Sequence, residues 1–241
     1  MMRRTSLINL SRALPAAISC FATPVFAQEM PASTLLDRRV QLNGAVFHYD
    51  YVDKQFAGRV ILTPNLFGAL ETLVNVPKSR VNGAELQIDL APFRGLTLNL
   101  GATYLDTRVK GFTNYDVFGA VTDFSGQGFP NSPKLQTVAD AEYDWNLSDH
   151  FDSFVGASGN YQSASNGLFG EYSQFRIKRW ATLDLIAGIE APDESWKVFV
   201  WGRNVTDAYY WSTTNSVLDT QILFAGAPAT YGLTMSFRGH G

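Results

Sequence analysis

From Leu35 onward the chain alternates apolar and polar residues with a period of two, and it carries no apolar run long enough for a spanning helix. A period of two sends successive side chains to opposite faces, so the pattern specifies β-strands with one apolar and one polar face. Leu96, Leu98, Leu100, Ala102 and Tyr104 alternate with Thr97, Asn99, Gly101 and Thr103. Ala84, Leu86, Ile88 and Leu90 stand against Glu85, Gln87 and Asp89, and Ala139, Ala141, Tyr143 and Trp145 against Asp140, Glu142 and Asp144. Near the end, Ala229, Tyr231, Leu233, Met235 and Phe237 alternate with Thr230, Gly232, Thr234, Ser236 and Arg238.

The pattern predicts eight strands, at about residues 37–54, 68–91, 95–109, 133–147, 150–163, 178–190, 194–205 and 228–238. Pro77 is expected to bend or break the second, because proline cannot donate to a ladder. Tight turns at 92–95, 147–149 and 191–194 alternate with long links at 110–132, 164–177 and 206–227. All short turns then fall at one end and all long loops at the other, the asymmetry of an outer-membrane barrel with periplasmic turns and extracellular loops. In hydrocarbon every backbone group needs a partner, which only helices and fully paired sheets provide. Around Lys197–Trp201 both faces are apolar, and the pattern does not say which points inward.

A secreted soluble β-sandwich also alternates, because one face of each sheet meets the core. Its strands are usually shorter and recur every 8 to 12 residues or so, and composition weighs against it here. Charged residues are only 17% of the 241, against about 25% in soluble domains. Aromatics reach 13%, with 17 Phe, 10 Tyr and 5 Trp. The polar face is rich in Asn, Gln, Asp and Glu, as suits a wetted lumen. The expected fold class is therefore all-β, an antiparallel transmembrane β-barrel segment in contact with outer-membrane lipid.

Residues 1–27 open with Arg3 and Arg4, continue through a modest apolar stretch and close on Val25-Phe26-Ala27, the layout of a secretory signal peptide. Residues 28–36 are expected to be a short linker and 37–241 the barrel. The single cysteine, Cys20, lies in the leader, so no disulfide framework and no Cys-rich zinc site is available. A net charge of −3 gives no electrostatic footprint for nucleic acid. No cofactor is expected. The carboxylates Glu85, Asp89, Asp140, Glu142, Asp144 and Asp184 read as lumen lining, and no nucleophile with a base accompanies them. No Gly-x-Ser-x-Gly elbow or phosphate-binding glycine loop occurs, so an enzyme is not expected. His48 reads as a surface or lumen residue, without a second histidine at strand spacing.

Several short motifs in shared order resemble the TonB-dependent receptors, plugged outer-membrane transporters for siderophores and other nutrients. DRRVQLNGAVFHYDY at 37–51 is similar to a strand of that family ending in aromatic-Asp-Tyr. SRVNGAEL at 79–86 resembles its basic-x-x-Gly-x-Glu strand, with Gly83 and Glu85. GLTLNLGATYLD at 95–106 is similar to the following strand. PNSPK at 130–134, with Pro130, Asn131, Pro133 and Lys134, resembles the turn into the next. WGRNVTDAYY at 201–210, with Asn204 and Asp207, is the most specific piece. PATYGLTMSF at 228–237, with Tyr231, Gly232 and Phe237, is similar to the terminal strand.

The resemblance implies a barrel inserted by the barrel-assembly machinery, with an iron-siderophore or similar nutrient meeting the long loops. Aromatics there can stack on a flat ligand, and the candidate contacts are Tyr115, Phe118, Phe169, Tyr172, Phe175 and Trp211. Tyr209 and Tyr210 read rather as an interfacial girdle, and Asp207 as a turn former acting through a local backbone hydrogen bond. The resemblance covers only about the last third of such a receptor. No plug fits between Gln28 and Asp37, so contact with TonB is not expected and the chain reads as truncated and not competent for transport alone. The chain ends on His240-Gly241 rather than an aromatic, and Phe237 is the nearest substitute. The alternative is a free-standing eight-stranded barrel with a structural or passive binding role.

Overall fold

The structure, a computed structural model, describes residues 26–35, 39–62, 68–218 and 220–238. The predicted leader up to residue 25 and the final residues 239–241 lie outside the described residues. The elements are β1 (Phe26–Leu35), β2 (Val40–Val60), β3 (Leu70–Leu90), β4 (Leu96–Gly111), β5 (Thr113–Tyr115), β6 (Val121–Asp123), β7 (Leu135–Ser148), β8 (Phe151–Gln162), β9 (Ser165–Asn166), β10 (Arg176–Ile177), β11 (Trp180–Glu190), β12 (Trp196–Arg203), β13 (Trp211–Val217), β14 (Thr220–Ala225) and β15 (Thr230–Phe237). Among the described residues one 3₁₀ turn occurs, at Ser173–Phe175.

Nine strands make one antiparallel sheet in the order β1-β2-β3-β4-β7-β8-β11-β12-β15, and three two-stranded ladders, β5–β6, β9–β10 and β13–β14, decorate its long loops. All eight strands read from the alternation are present. The ninth, β1, occupies residues expected to form the leader's end and a linker, and it pairs with β2 from Phe26 opposite His48 to Leu35 opposite Val40. Pro31 falls at the register irregularity between Met30 and Ser33, on an edge strand where its missing N–H is tolerated.

In an antiparallel meander the direction reverses at each step, so with nine strands β1 and β15 run the same way. Joining them would create a parallel seam, and among the described residues the sheet is open at both.

Pro77 does not break β3. The disturbance falls on its neighbours instead: Asp53, facing it on β2, takes a left-handed φ of 53°, and Lys110 bulges out of β4 between the pairs Lys78–Gly111 and Ser79–Val109. The twist at Asp53 inverts the alternation, so that Lys54 lies on the same side as Tyr51, with Nζ 4.2 Å from the ring centroid.

Register places cross-strand neighbours on common faces. The outer face carries Val46, Ala84 and Tyr104 in one row, with Leu42, Ile88 and Leu100 closer to the short turns. The inner face carries Gln41, Asp89, Asn99 and Asp140 in another. At about 3.4 Å per residue and a tilt of about 40°, the apolar run from Leu96 to Tyr104 rises about 21 Å, close to a bilayer's apolar band. Aromatics ring its short-turn edge, where Tyr143 stacks on Trp145 at 5.5 Å, Phe93 meets Tyr143 at 6.2 Å and Phe151 meets Trp196 at 5.9 Å. Interfacial aromatics suit that depth, because each ring has an apolar body and Trp or Tyr a polar edge.

Toward the long loops the polarity reverses. The outer face of β2–β4 becomes His48, Asp50, Asn82, Arg80, Asp106 and Arg108, while the inner face becomes Phe47, Tyr49, Tyr51, Val81, Leu105 and Val109. Loop residues Phe112, Phe124, Phe129 and Phe169 fold over that inner face and bury themselves against it.

Candidate functional site

The three long loops are interlocked over the end of the sheet by polar side chains of the turns and of the β13–β14 ladder. Asn131, with φ 53°, donates its amide N–H to Asn166 O at 2.7 Å and Nδ2 to Gly167 O at 3.3 Å, and its Oδ1 accepts from Thr213 Oγ1 at 2.8 Å. One residue of the Pro-Asn-Ser-Pro turn thus joins all three loops. Thr214 Oγ1 donates to Phe175 O at 2.9 Å, and Gln221 Nε2 donates to Gln174 O.

The third loop also reaches across to β2 and β3. Arg59 is 5% exposed and donates Nη1 to Ala69 O at 3.1 Å and Nη2 to Ser216 O at 3.0 Å. Asn215 Nδ2 donates to Glu71 Oε1 at 3.4 Å. The loop layer therefore connects the β12 side of the sheet to the β2 side, which the strands themselves do not do.

Asn204 starts the third loop and is 4% exposed with φ 47°. Its N–H donates to Asp184 Oδ1 at 2.8 Å, Nδ2 donates to Ala208 O and Ala227 O, and Oδ1 accepts from Ala208 N at 2.9 Å. The amide joins both ends of a long loop, and Asp184, read as lumen lining, helps hold the turn. Asp207 donates its N–H to Asn204 O at 2.8 Å within the turn, and its Oδ1 accepts from Ala229 N at 3.1 Å, so it also holds the far end of the loop.

The six aromatics singled out from sequence separate into two groups. Phe169 and Phe175 are 7% and 3% exposed. Phe169 lies 5.4 Å from Phe112, 5.6 Å from Phe124 and 5.5 Å from Phe56, so its ring packs the second loop against the first and against β2. Phe118, by contrast, is 69% exposed and meets the half-buried Tyr172 edge-on at 5.3 Å. Trp211 meets Tyr209 at 5.1 Å, and Tyr209 is 78% exposed. Tyr115 is half-buried in the β5 ladder. Tyr210, read with Tyr209 as an interfacial residue, stacks on Trp180 at 4.3 Å. None of the six lines the open groove of about 430 Å³ between β3 and the β5–β6 hairpin, whose walls include Asn75, Pro77, Asn114 and Asp123.

The Phe118–Tyr172 pair is oriented from beneath. Tyr172 donates its hydroxyl to Asp116 Oδ2 at 2.8 Å, while Phe118 N and Ala120 N donate to Asp116 Oδ1 at 2.9 and 2.8 Å. Burial works against the Asp116 charge, yet the bonds from Tyr172, Ala120 and Phe118 outweigh it and hold the carboxyl below its ordinary range. Burial, with that bond and the adjacent charge, pushes the Tyr172 phenol up to about 12. Sequence reading missed Asp116, although Asp followed by Gly three residues on is a turn signature.

The remaining motif residues lie on the strands and at the turn before β7. Glu85 lies on the inner face between Ala45 and Thr103, Pro133 is buried and Lys134 exposed, and Lys134 O accepts from Leu105 N at 2.9 Å. Tyr231 and Phe237 stand on the outer face, 68% and 79% exposed. The surface so built offers ring faces for stacking and hydrogen-bonding loop backbone.

A family model described as TonB dependent receptor-like, beta-barrel, matches residues 32–205. Solved structures with the same fold include the siderophore receptor PiuA from Acinetobacter baumannii, at 17% identity and TM-score 0.61 over 85% of this chain and 26% of that one. The ferric yersiniabactin uptake receptor FyuA from Yersinia pestis aligns at 17% identity and TM-score 0.62 over 82% and 27%. The pyoverdine receptor FpvA from Pseudomonas aeruginosa, solved with pyoverdine bound, aligns at 17% and 0.60 over 86% and 28%. The chain spans about a quarter of the length of these receptors.

Proposed function

Because this chain belongs to the TonB-dependent receptor family, we propose that it forms the C-terminal part of an outer-membrane uptake receptor for an iron-siderophore or similar nutrient and does not transport alone. Its structural neighbours are transport receptors rather than enzymes. The observation that carries the reading is the nine-stranded sheet, open at β1 and β15 among the described residues and topped by interlocked loops. Both edge strands run from the loop end to the turn end, so antiparallel completion takes an odd number of further strands, about thirteen for a barrel of about 22. Phe118, Tyr172, Tyr209 and Trp211 would then lie at the mouth, where a chelate could stack.

The test is co-expression with a plug and the preceding barrel strands of a family member in a receptor-deficient strain, measuring uptake of labelled ferric siderophore. Uptake is expected only from the combination. Transport by the chain alone would overturn the reading.

One observation favours the second reading, a small structural barrel. Without β1 the sheet has eight strands, and β2 and β15 run in opposite directions, as an antiparallel seam requires. Heat-modifiable migration of the chain alone on electrophoresis would support it.

A further inference from the structure

The outer face of β2, β3 and β4, just beyond the apolar band, carries a cluster that the transport reading does not use. Lys78, Arg80, Arg108 and Lys110 come together there through register, with Arg80 directly opposite Asp50 on β2 and Arg108 on β4. Two carboxylates of these rows, Asp50 and Asp106, are both engaged, and Arg108 Nη1 also donates to Gly126 O at 2.9 Å. Asp50 Oδ1 takes Lys110 Nζ at 3.1 Å across β3, and Asp106 Oδ1 takes Arg108 Nη2 at 3.3 Å.

Lys78 and Arg80 have no ion-pair partner among the described residues. Arg80 Nε is moreover buried without a hydrogen-bond acceptor. Two arginines directly opposite each other on adjacent strands repel, and a buried guanidinium nitrogen left unpaired costs free energy. The repulsion is relieved by an anion that accepts several hydrogen bonds at once from the guanidinium groups, the role that phosphate fills with arginine.

We propose that this patch binds the phosphate groups of a phosphorylated glycolipid in the outer leaflet. The lipid, rather than free phosphate, is favoured by what lies next to the cations. Val46, 53% exposed, and Tyr104, 48% exposed, stand on the same outer face toward the short turns and begin the apolar band. A headgroup held by Arg80 would lay its acyl chains down that face. The inference rests on the membrane placement proposed above.

The test uses the full chain in bicelles of phosphatidylethanolamine containing diphosphoryl lipid A or the same glycolipid without phosphates, with bound lipid counted by native mass spectrometry. Preference for the phosphorylated form is expected, falling about fivefold for each cation removed in Arg80→Gln, Arg108→Gln and Lys78→Gln. Lys78 is exposed, so its replacement leaves packing intact and keeps the idea falsifiable if an arginine variant fails to fold. Arg203→Gln removes a cation from the inner face and should change nothing. Equal binding of the dephosphorylated glycolipid, an equal loss in Arg203→Gln, or no loss in Lys78→Gln would overturn the site. Full displacement by millimolar inorganic phosphate would replace the lipid by the free ion. Failure to enter bicelles at all would overturn the placement and the site with it.

Discussion

Phe47 of β2 lies across Gly83 of β3 so closely that a Cβ on Gly83 would stand 2.1 Å from ring atom Cζ. Trp201 covers Gly232 of β15 in the same way, at 2.3 Å from Cζ2, and donates Nε1 to Thr234 Oγ1 at 3.0 Å. Glycine weakens a strand interior, and an aromatic laid across it restores the packing. Gly83→Ala and Gly232→Ala should each destabilise the sheet by about 1–3 kcal/mol. Gly101→Ala, with nothing within 4 Å of the added carbon, should stay within about 0.5 kcal/mol. Urea unfolding in lipid vesicles compares them, and equal midpoints would refute the account.

Asn204 unites backbone strain with three side-chain hydrogen bonds, and two variants separate these. Asn204→Ala should cost about 2–4 kcal/mol through orphaned partners and a disfavoured φ. Asn204→Gly should recover only the backbone part, because glycine accepts positive φ. Protease cleavage within 205–229 should accelerate in both, more in the alanine variant.

The Asp116–Tyr172 bond carries a pH window at the loop mouth. The folded carboxyl lies below its ordinary value of 3.8, so its stabilisation is complete above that value and is lost as pH falls through the depressed folded pKa. The folded phenol lies above 10.0, at about 12, so its neutral form stabilises fully below pH 10.0 and this is lost as pH rises toward about 12. Tyrosinate absorbance should show the Tyr172 phenol titrating late in the native chain, and Asp116→Asn should bring it earlier.

Open edges leave a kinetic signature. In β15 alternate amides point away from β12 and should exchange with solvent rapidly, whereas those of β11, paired on both sides, should be protected. Residue-resolved hydrogen exchange on the chain alone reads this directly. Uniform protection along β15 would mean that a strand already covers its edge.

The two groups of loop aromatics should respond oppositely. Phe169→Ala removes a buried ring from a four-phenylalanine contact and should cost about 3–5 kcal/mol. Phe118→Ala and Tyr209→Ala should leave stability within about 0.5 kcal/mol. If the mouth reading holds, they weaken ferric-siderophore binding in the completed receptor, read by quenching of tryptophan fluorescence.

Strand positions and the split into short turns and long loops were legible because a period of two is a local property, repeated at Leu96–Tyr104 and at Ala139–Trp145. Of the bend or break expected at Pro77, the break was not realised, because the cost of its missing N–H could be moved to Asp53 and Lys110 on other strands. Phe169 and Phe175 looked no different in sequence from Phe118. Their burial depends on contacts with residues far along the chain, which composition of a loop does not encode.

By itself the sequence determined an all-β chain with one lipid-compatible face and one polar face, since alternation alone assigns side chains to faces. Only the tertiary structure decided how those faces are used. Register brought Arg80 against Arg108, inverted the polarity of β2–β4 beyond the apolar band, and let Asn131 and Arg59 tie distant loops together. It also supplied β1, whose pairing makes the strand count odd and sets the edges parallel. Pairing between strands is a long-range choice among partners that local pattern leaves equivalent, and it is settled by which packing satisfies the most backbone and buries the most apolar surface at once.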